Sequence, residues 1–194
     1  MSDYAIIYSM DKELEKLIRS DLHRLGIKNI PAFGNGLPLQ AKYLILWRKA
    51  AYYYKKGGFF RKWYGLKLDR MQERTQITLP REIQAGPGLY IGHLGRLIVH
   101  PDVKMGSNIN LATGVTIGQA NRGKRKGVPV IGDNVWIGTN AVITGNVHIG
   151  NDVMICPNAF VNMDVPDHSI VIGNPAVIHH KDNATEGYIN NCVE

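Results

Sequence analysis

Between Ile131 and Val165 the chain repeats every six residues: IGDNVW IGTNAV ITGNVH IGNDVM ICPNAF VNMDV. The first place of each six holds Ile131, Ile137, Ile143, Ile149, Ile155 and Val161. The fifth holds Val135, Ala141, Val147, Val153, Ala159 and Val165. All twelve are apolar in a chain that is 44% apolar, an agreement expected by chance on the order of 10⁻⁴. A period of six is neither helical nor a simple strand alternation. It is the period of a parallel β-helix, in which three sixes close a triangular coil and coils stack at roughly 4.8 Å. Ile and Val at the inward places favour extended backbone, and the intervening Gly, Asn and Asp suit the corners. One coil cannot bury its own apolar side, so several must stack.

Counted backward from Ile131, the inward places are Ile117, Leu111 and Met105, then Leu97, Ile91 and Ala85. Two steps break the period. Ile117 to Ile131 is fourteen residues, so eight are extruded within QANRGKRKGVPV (119–130). Leu97 to Met105 is eight, which predicts an enlarged corner at 98–104, around His100-Pro101. Insertions in solenoids become loops on one face and often carry function.

Ahead of the repeats, DKELEKLIRSDLHRL (11–25) reads as an amphipathic helix stopped by Gly26, and PAFGNGLP (31–38) as a turn-rich linker. Residues 39–71 interleave aromatics with cations and read as two helices broken at Gly57-Gly58. Residues 1–80 hold 15 Lys/Arg against 7 Asp/Glu, and residues 81–194 hold 8 against 9, so the basic character belongs to the N-terminal part. Two readings fit 39–71: a helical cap packed on the β-helix or a neighbouring subunit, and a peripheral contact with anionic lipid. Nothing else in the chain points to nucleic acid. Two cysteines, Cys156 and Cys192, make no disulfide framework. With neither a signal peptide nor a run of about 18 apolar residues, the expected place is the cytoplasm, and on the lipid reading of 39–71 the inner face of the membrane.

The segment GLYIGHLG (88–95) sets His93 on an outward corner between glycines. An exposed imidazole there is a poor packing residue and a good proton acceptor near neutrality. His100, at the other predicted corner, is the second candidate. A metal hydratase would need three converging His ligands. His93, His100 and His148 are not spaced to converge, so no metal is expected.

On the repeat, GLYIGHLG, VTIG (115–118), the extruded loop and VIGNPA (171–176), the chain resembles the hexapeptide-repeat acyltransferases, on their serine acetyltransferase-like branch. It is most like the sugar-modifying relatives of surface-polysaccharide synthesis. The resemblance covers roughly residues 77–180. It implies a left-handed parallel β-helix of about four to five coils (76–180), preceded by an α-helical region (1–75) and followed by a C-terminal tail (181–194). It implies a homotrimer, acetyl-CoA as co-substrate, and His93 as the general base of a direct transfer. It places coenzyme A on Gly118, Thr139 and Pro157, with Lys181 toward its phosphates. The acceptor is expected to be a sugar hydroxyl of a capsular or O-antigen glycan or its lipid-linked precursor, with His100, Arg122, Lys124 and Arg125 as candidate contacts. Serine O-acetyltransferase is the alternative. Here the sequence departs from that branch. It has Gly92 where the branch has Asp before the base, Ile77 or Thr78 near the place of its second Asp, and Lys126-Gly127-Val128-Pro129 where it has a second His beside the loop.

Overall fold

The computed structural model describes residues 11–29 and 36–194; most of the expected 31–38 linker lies outside them. Three helices come first: α1 (Lys12–Arg24), α2 (Leu39–Lys56) and α3 (Phe59–Thr75). Short strands then wind in coils of three. The first coil is β1 (Ile77–Thr78), β2 (Gln84–Ala85) and β3 (Tyr90–Ile91). The second is β4 (Leu97–Val99), β5 (Lys104–Met105) and β6 (Asn110–Leu111). The third is β7 (Thr116–Gly118), β8 (Val130–Ile131) and β9 (Val135–Ile137). The fourth is β10 (Val142–Thr144), β11 (His148–Ile149) and β12 (Val153–Ile155). The fifth holds β13 (Phe160–Val161), a parallel bridge at Val165, and β14 (Ser169–Ile172), against which β15 (Val177–His180) turns back antiparallel.

Stacking these coils makes three parallel walls. Wall A is β1-β4-β7-β10-β13, wall B is β2-β5-β8-β11, and wall C is β3-β6-β9-β12-β14, extended by β15. This is the parallel β-helix that the repeat predicts, consistent with the left hand that the resemblance implies. The twelve inward places from Ile131 to Val165 are each at most 2% exposed, so every six contributes two side chains to one continuous core.

The corners carry the residues whose short side chains tolerate left-handed backbone. Asn134, Asn140, Asp152 and Asn158 all have φ between 52 and 62°. At the corner from wall B to wall C the side chains also tie coil to coil. Asp133 Oδ1 accepts the Ser107 amide (2.6 Å), Asn151 Oδ1 the Asp133 amide (2.8 Å), and Asp167 Oδ1 the Asn151 amide (2.7 Å).

The helices close the first coil. Tyr43, Trp47, Tyr64 and Leu68 join its core, Tyr43 Oη donating to Ile77 O (3.2 Å) and Trp47 Nε1 to Pro80 O (3.1 Å). A buried pair links α1, α2 and the first coil. The Arg48 fork grips both Asp21 oxygens (2.7 and 2.9 Å) and donates to Ala85 O and Gly86 O. The helical-cap reading of 39–71 therefore accounts for the larger buried aromatics. Phe59, 80% exposed, Phe60 and Leu66 remain outside at the α2–α3 end. The expected break between helices falls at Gly57 and Gly58, both at positive φ (79 and 77°). No helix among the described residues is long and apolar enough to cross a membrane.

Candidate active site

The pairing of walls moves one break in the period. Val99, not Leu97, lies opposite Ile117, and Ile91 lies opposite Leu111. The step from Val99 to Met105 is a regular six, so the corner at His100-Pro101 is not enlarged. The extra length sits between Ile91 and Val99. Counting up from Ile91↔Leu111 and down from Val99↔Ile117 pairs Gly92 with Ala112 and Gly95 with Thr113. His93 and Leu94 are left without counterparts in the next coil. They are the two inserted residues, and both are exposed. A bulge of this kind re-aims side chains out of the regular wall, so His93 owes its exposure to the insertion itself.

Both ends of the bulge are held by the helical cap. Gln40, in the first turn of α2, donates to Gly92 O (3.0 Å), and the Gly95 amide donates to Thr75 O (3.2 Å). Gly95 has φ 136°, and a Cβ there would lie 2.7 Å from Thr113 Cγ2. Only glycine meets both conditions. Gln40 bears on this corner across 52 residues of sequence. The hexad pattern cannot reveal it, because Gln40 lies outside the repeat.

The His93 imidazole makes no hydrogen bond among the described residues. Gln76 is the left-handed C-cap of α3, its carbonyl accepting the Leu97 amide. Thr78 points outward on wall A with no carboxylate in its place. The space beside Gly92 is taken by Tyr90, whose ring atoms come within 2.9 Å of where a Cβ would stand.

The proposed coenzyme positions fall on different corners of one chain. Continuing the register, Gly95, Thr113, Thr139 and Pro157 form the column at the corner from wall C to wall A, next to His93. Gly118 stands over His100 at the corner from wall A to wall B, with nothing within 4 Å of its would-be Cβ. Lys181 lies near the third corner, its amide donating to His168 O (2.8 Å).

The extruded residues form an ordered hairpin closed by reciprocal hydrogen bonds between Ala120 and Gly127 (3.0 Å each). Arg122 and Lys124 at its end are exposed. Arg125 is engaged. It donates to Asp164 (2.7 Å) and Asn146 O (3.3 Å), and its own carbonyl accepts the Asn146 amide (2.8 Å). His100 turns inward to its own loop, Nδ1 accepting the Asp102 amide (3.3 Å). The hairpin and His100 therefore sit at one end of wall A, and His93 at the other.

Residues 181–194 lie folded along wall C. Thr185 donates to Asp152 (2.7 Å), Tyr188 meets Trp136 edge-on (5.1 Å), and Val193 exchanges two hydrogen bonds with Asn108 (2.9 and 3.0 Å).

Comparison with known proteins agrees with this fold. Residues 129–162 match the family described as bacterial transferase hexapeptide (six repeats). The chain is 34% identical over 113 residues to the serine acetyltransferase of Staphylococcus xylosus, which covers 58% of this chain and 52% of that protein. It thus spans about half the length of that curated relative. The structure of Neisseria gonorrhoeae serine acetyltransferase in complex with serine is 26% identical, with a TM-score of 0.72 over 89% of this chain and 73% of that one. Brucella abortus serine acetyltransferase in complex with coenzyme A, 23% identical, shares the fold at a TM-score of 0.75 over 90% and 71% of the two chains. With the hexad and the coiled walls already in place, the chain resembles the hexapeptide-repeat acetyltransferases, and the relatives it matches are serine acetyltransferases.

Proposed function

We propose that this chain is an acetyl-CoA-dependent O-acetyltransferase with His93 as its general base. The observation that carries the reading is the bulge: a solvent-facing imidazole inserted beside a column of stacked corners, on a backbone held at both ends by hydrogen bonds with the helical cap. In the reaction His93 takes the proton of an acceptor hydroxyl as the oxygen attacks the thioester carbon. Backbone N–H groups stabilise the oxyanion. The C–S bond then breaks, and the coenzyme A thiolate leaves and takes the proton back from His93. No covalent acyl-enzyme is required.

Thr139 and Pro157 continue the His93 corner at about one and two coils beyond Thr113, roughly 4.8 Å each. That is the path along which an extended pantetheine arm would approach. Gly118 and Lys181 belong to other corners, so their part in holding coenzyme A requires a neighbouring subunit, as in a homotrimer.

Serine is the acceptor better backed by the comparisons, since the serine acetyltransferases of Staphylococcus xylosus and Neisseria gonorrhoeae are similar to this chain. A sugar hydroxyl of a surface glycan or its lipid-linked precursor is the second reading. It is favoured by Gly92 and Tyr90, which leave no carboxylate before the base to meet an amino acid's ammonium. A peripheral contact of the exposed Phe59, Phe60 and Leu66, beside Arg61 and Lys62, with anionic lipid would suit such a precursor. The deciding experiment is thiol release from acetyl-CoA with serine, free sugars, nucleotide sugars and glycan fragments. Turnover with serine supports the first reading, and turnover with saccharides alone the second. No release above background with any acceptor overturns the proposal.

A further inference from the structure

Wall C carries a cavity of about 330 Å³ on the same side of the coil as Tyr90. Tyr90, Asn110 and Trp136 stand in direct register on three successive coils and form its back. Tyr188 and Asn190, from the returning C-terminal segment, also line it, as does Arg24, the last residue of α1.

Arg24 is 3% exposed. Its Nε donates to Gly88 O (3.2 Å), Nη1 to Asn190 O, and Nη2 to Asn110 Oδ1. All three acceptors are neutral. A guanidinium carries five N–H donors, so two remain without a partner among the described residues. Asp21, one turn earlier on α1, is already gripped at both oxygens by Arg48, and its Oδ1 also accepts the Leu89 amide (2.9 Å). Arg24 is thus a buried cation beside a cavity, with no ion pair among the described residues. Buried charges are normally paired, because the low-polarity interior penalises a lone one. A planar fork is shaped for a carboxylate or a phosphate.

The remaining walls suit a ring with hydroxyls. Trp136 and Tyr188 offer aromatic surface, and Asn110 and Asn190 offer amide and backbone polar groups. Tyr90 connects this cavity to the catalytic corner. Its ring centroid lies 5.6 Å from the Arg24 guanidinium carbon, and its hydroxyl reaches Gly92, the residue before His93.

We propose that this cavity is an acceptor subsite for an anionic sugar, a sugar acid or sugar phosphate, whose charge is held by Arg24 and whose ring lies against Trp136 and Tyr188. Its purpose rests on the sugar-acceptor reading of the transfer; its binding does not. The test is calorimetric titration of the full chain, without acetyl-CoA, using glucuronate, glucose 6-phosphate, glucose, serine and coenzyme A. At least one charged sugar should bind about tenfold or more tightly than glucose, which is about 1.4 kcal/mol or more. Glucuronate alone assigns a carboxylate, and glucose 6-phosphate alone a phosphate.

Arg24→Gln should abolish the preference for charge. Trp136→Leu, which leaves Arg24 and its acceptors in place, should weaken every sugar several-fold. Equal binding of charged and neutral sugars, no saturable binding by either charged sugar, or binding of serine alone would overturn the subsite. So would displacement of the sugar by coenzyme A from the Arg24 site. The wild-type panel decides even if Arg24→Gln fails to fold. Loss of thiol release in the presence of intact sugar binding would condemn the transfer reading and leave the subsite standing.

Discussion

Tyr90 occupies the space beside Gly92: a Cβ placed on Gly92 would lie 2.9 Å from both Tyr90 Cε1 and Oη. The two positions form a matched pair, glycine with a large ring, where the serine acetyltransferases have an Asp before the base. Restoring that Asp alone should therefore cost stability. Gly92→Asp is expected to lose about 1–3 kcal/mol through overpacking, read as a lower urea midpoint. Tyr90→Ala in the same chain should recover part of it. A Gly92→Asp variant as stable as wild type would mean that Tyr90 swings away freely.

His93 is exposed and makes no side-chain hydrogen bond among the described residues, so removing it should spare the fold. His93→Ala is expected to change unfolding free energy by less than about 0.5 kcal/mol while reducing transfer by about 10²–10⁴-fold. Activity within a few-fold of wild type would move the base elsewhere, with His100 the next candidate.

Arg125 and Asp164 pin the extruded hairpin to a corner two coils from its root, with side chains 44% and 57% exposed. An exposed pair contributes at most about 1 kcal/mol, so Asp164→Asn should leave global stability nearly unchanged. The local effect is the useful one: the hairpin should be cleaved faster by trypsin at Arg122, Lys124 and Arg125. Unchanged cleavage would show that the Ala120–Gly127 and Arg125–Asn146 backbone bonds hold it alone.

The returning C-terminal segment is tied by Asp152, which accepts bonds from His168, Thr185 and the Ala184 amide. Partial burial pushes the Asp152 carboxyl upward, but these hydrogen bonds outweigh it and hold it below the usual range. The same bond, donated by the His168 ring to Asp152, raises His168. Asp152's contribution is present above its unfolded value, about 3.9, and is lost as pH falls through the lower folded value. His168's is full below about 6.5 and is lost as pH rises through its raised folded value. The tie should be firmest between those limits. Amide exchange at Ala184 and Thr185, corrected for intrinsic rate, should show greatest protection near pH 5 to 6 and less as pH rises through the raised folded value of His168. Asp152→Asn should flatten that profile, and a wild-type profile already flat would refute the assignment.

Arg48 and Asp21 are 4% and 1% exposed and join the helical cap to the first coil. Breaking such a pair on one side leaves an uncompensated buried charge. Arg48→Met should therefore cost about 3–5 kcal/mol in chemical unfolding. A loss below about 1 kcal/mol would mean that water reaches Asp21 in the variant.

The hexad made most of the core legible, because an inward place every few residues is a local property written in side-chain type. It could not place the second break. Leu97 and Val99 both point inward on one strand, two residues apart. Either serves as the first place of a six, so the apolar pattern reads the insertion equally well at His100-Pro101 or at His93-Leu94. Only the pairing of Val99 with Ile117 chooses between them. The sequence does mark His93 as outward-facing, since flanking glycines leave it no packing partner. The polar partners that surround that corner were not legible.

By itself, then, the sequence determined the coil, its walls and the place of its extruded loop, because apolar places at a fixed period must be buried together. The tertiary structure decided what stands around that scaffold. Gln40 holds Gly92 from a helix outside the repeat, Asp164 answers a hairpin that contains no acid, and the chain's last residues return to line a cavity beside Arg24. These contacts join residues far apart in the chain through directional hydrogen bonds and charge. Such bonds depend on where the coil brings two groups together, and no periodicity records that in advance.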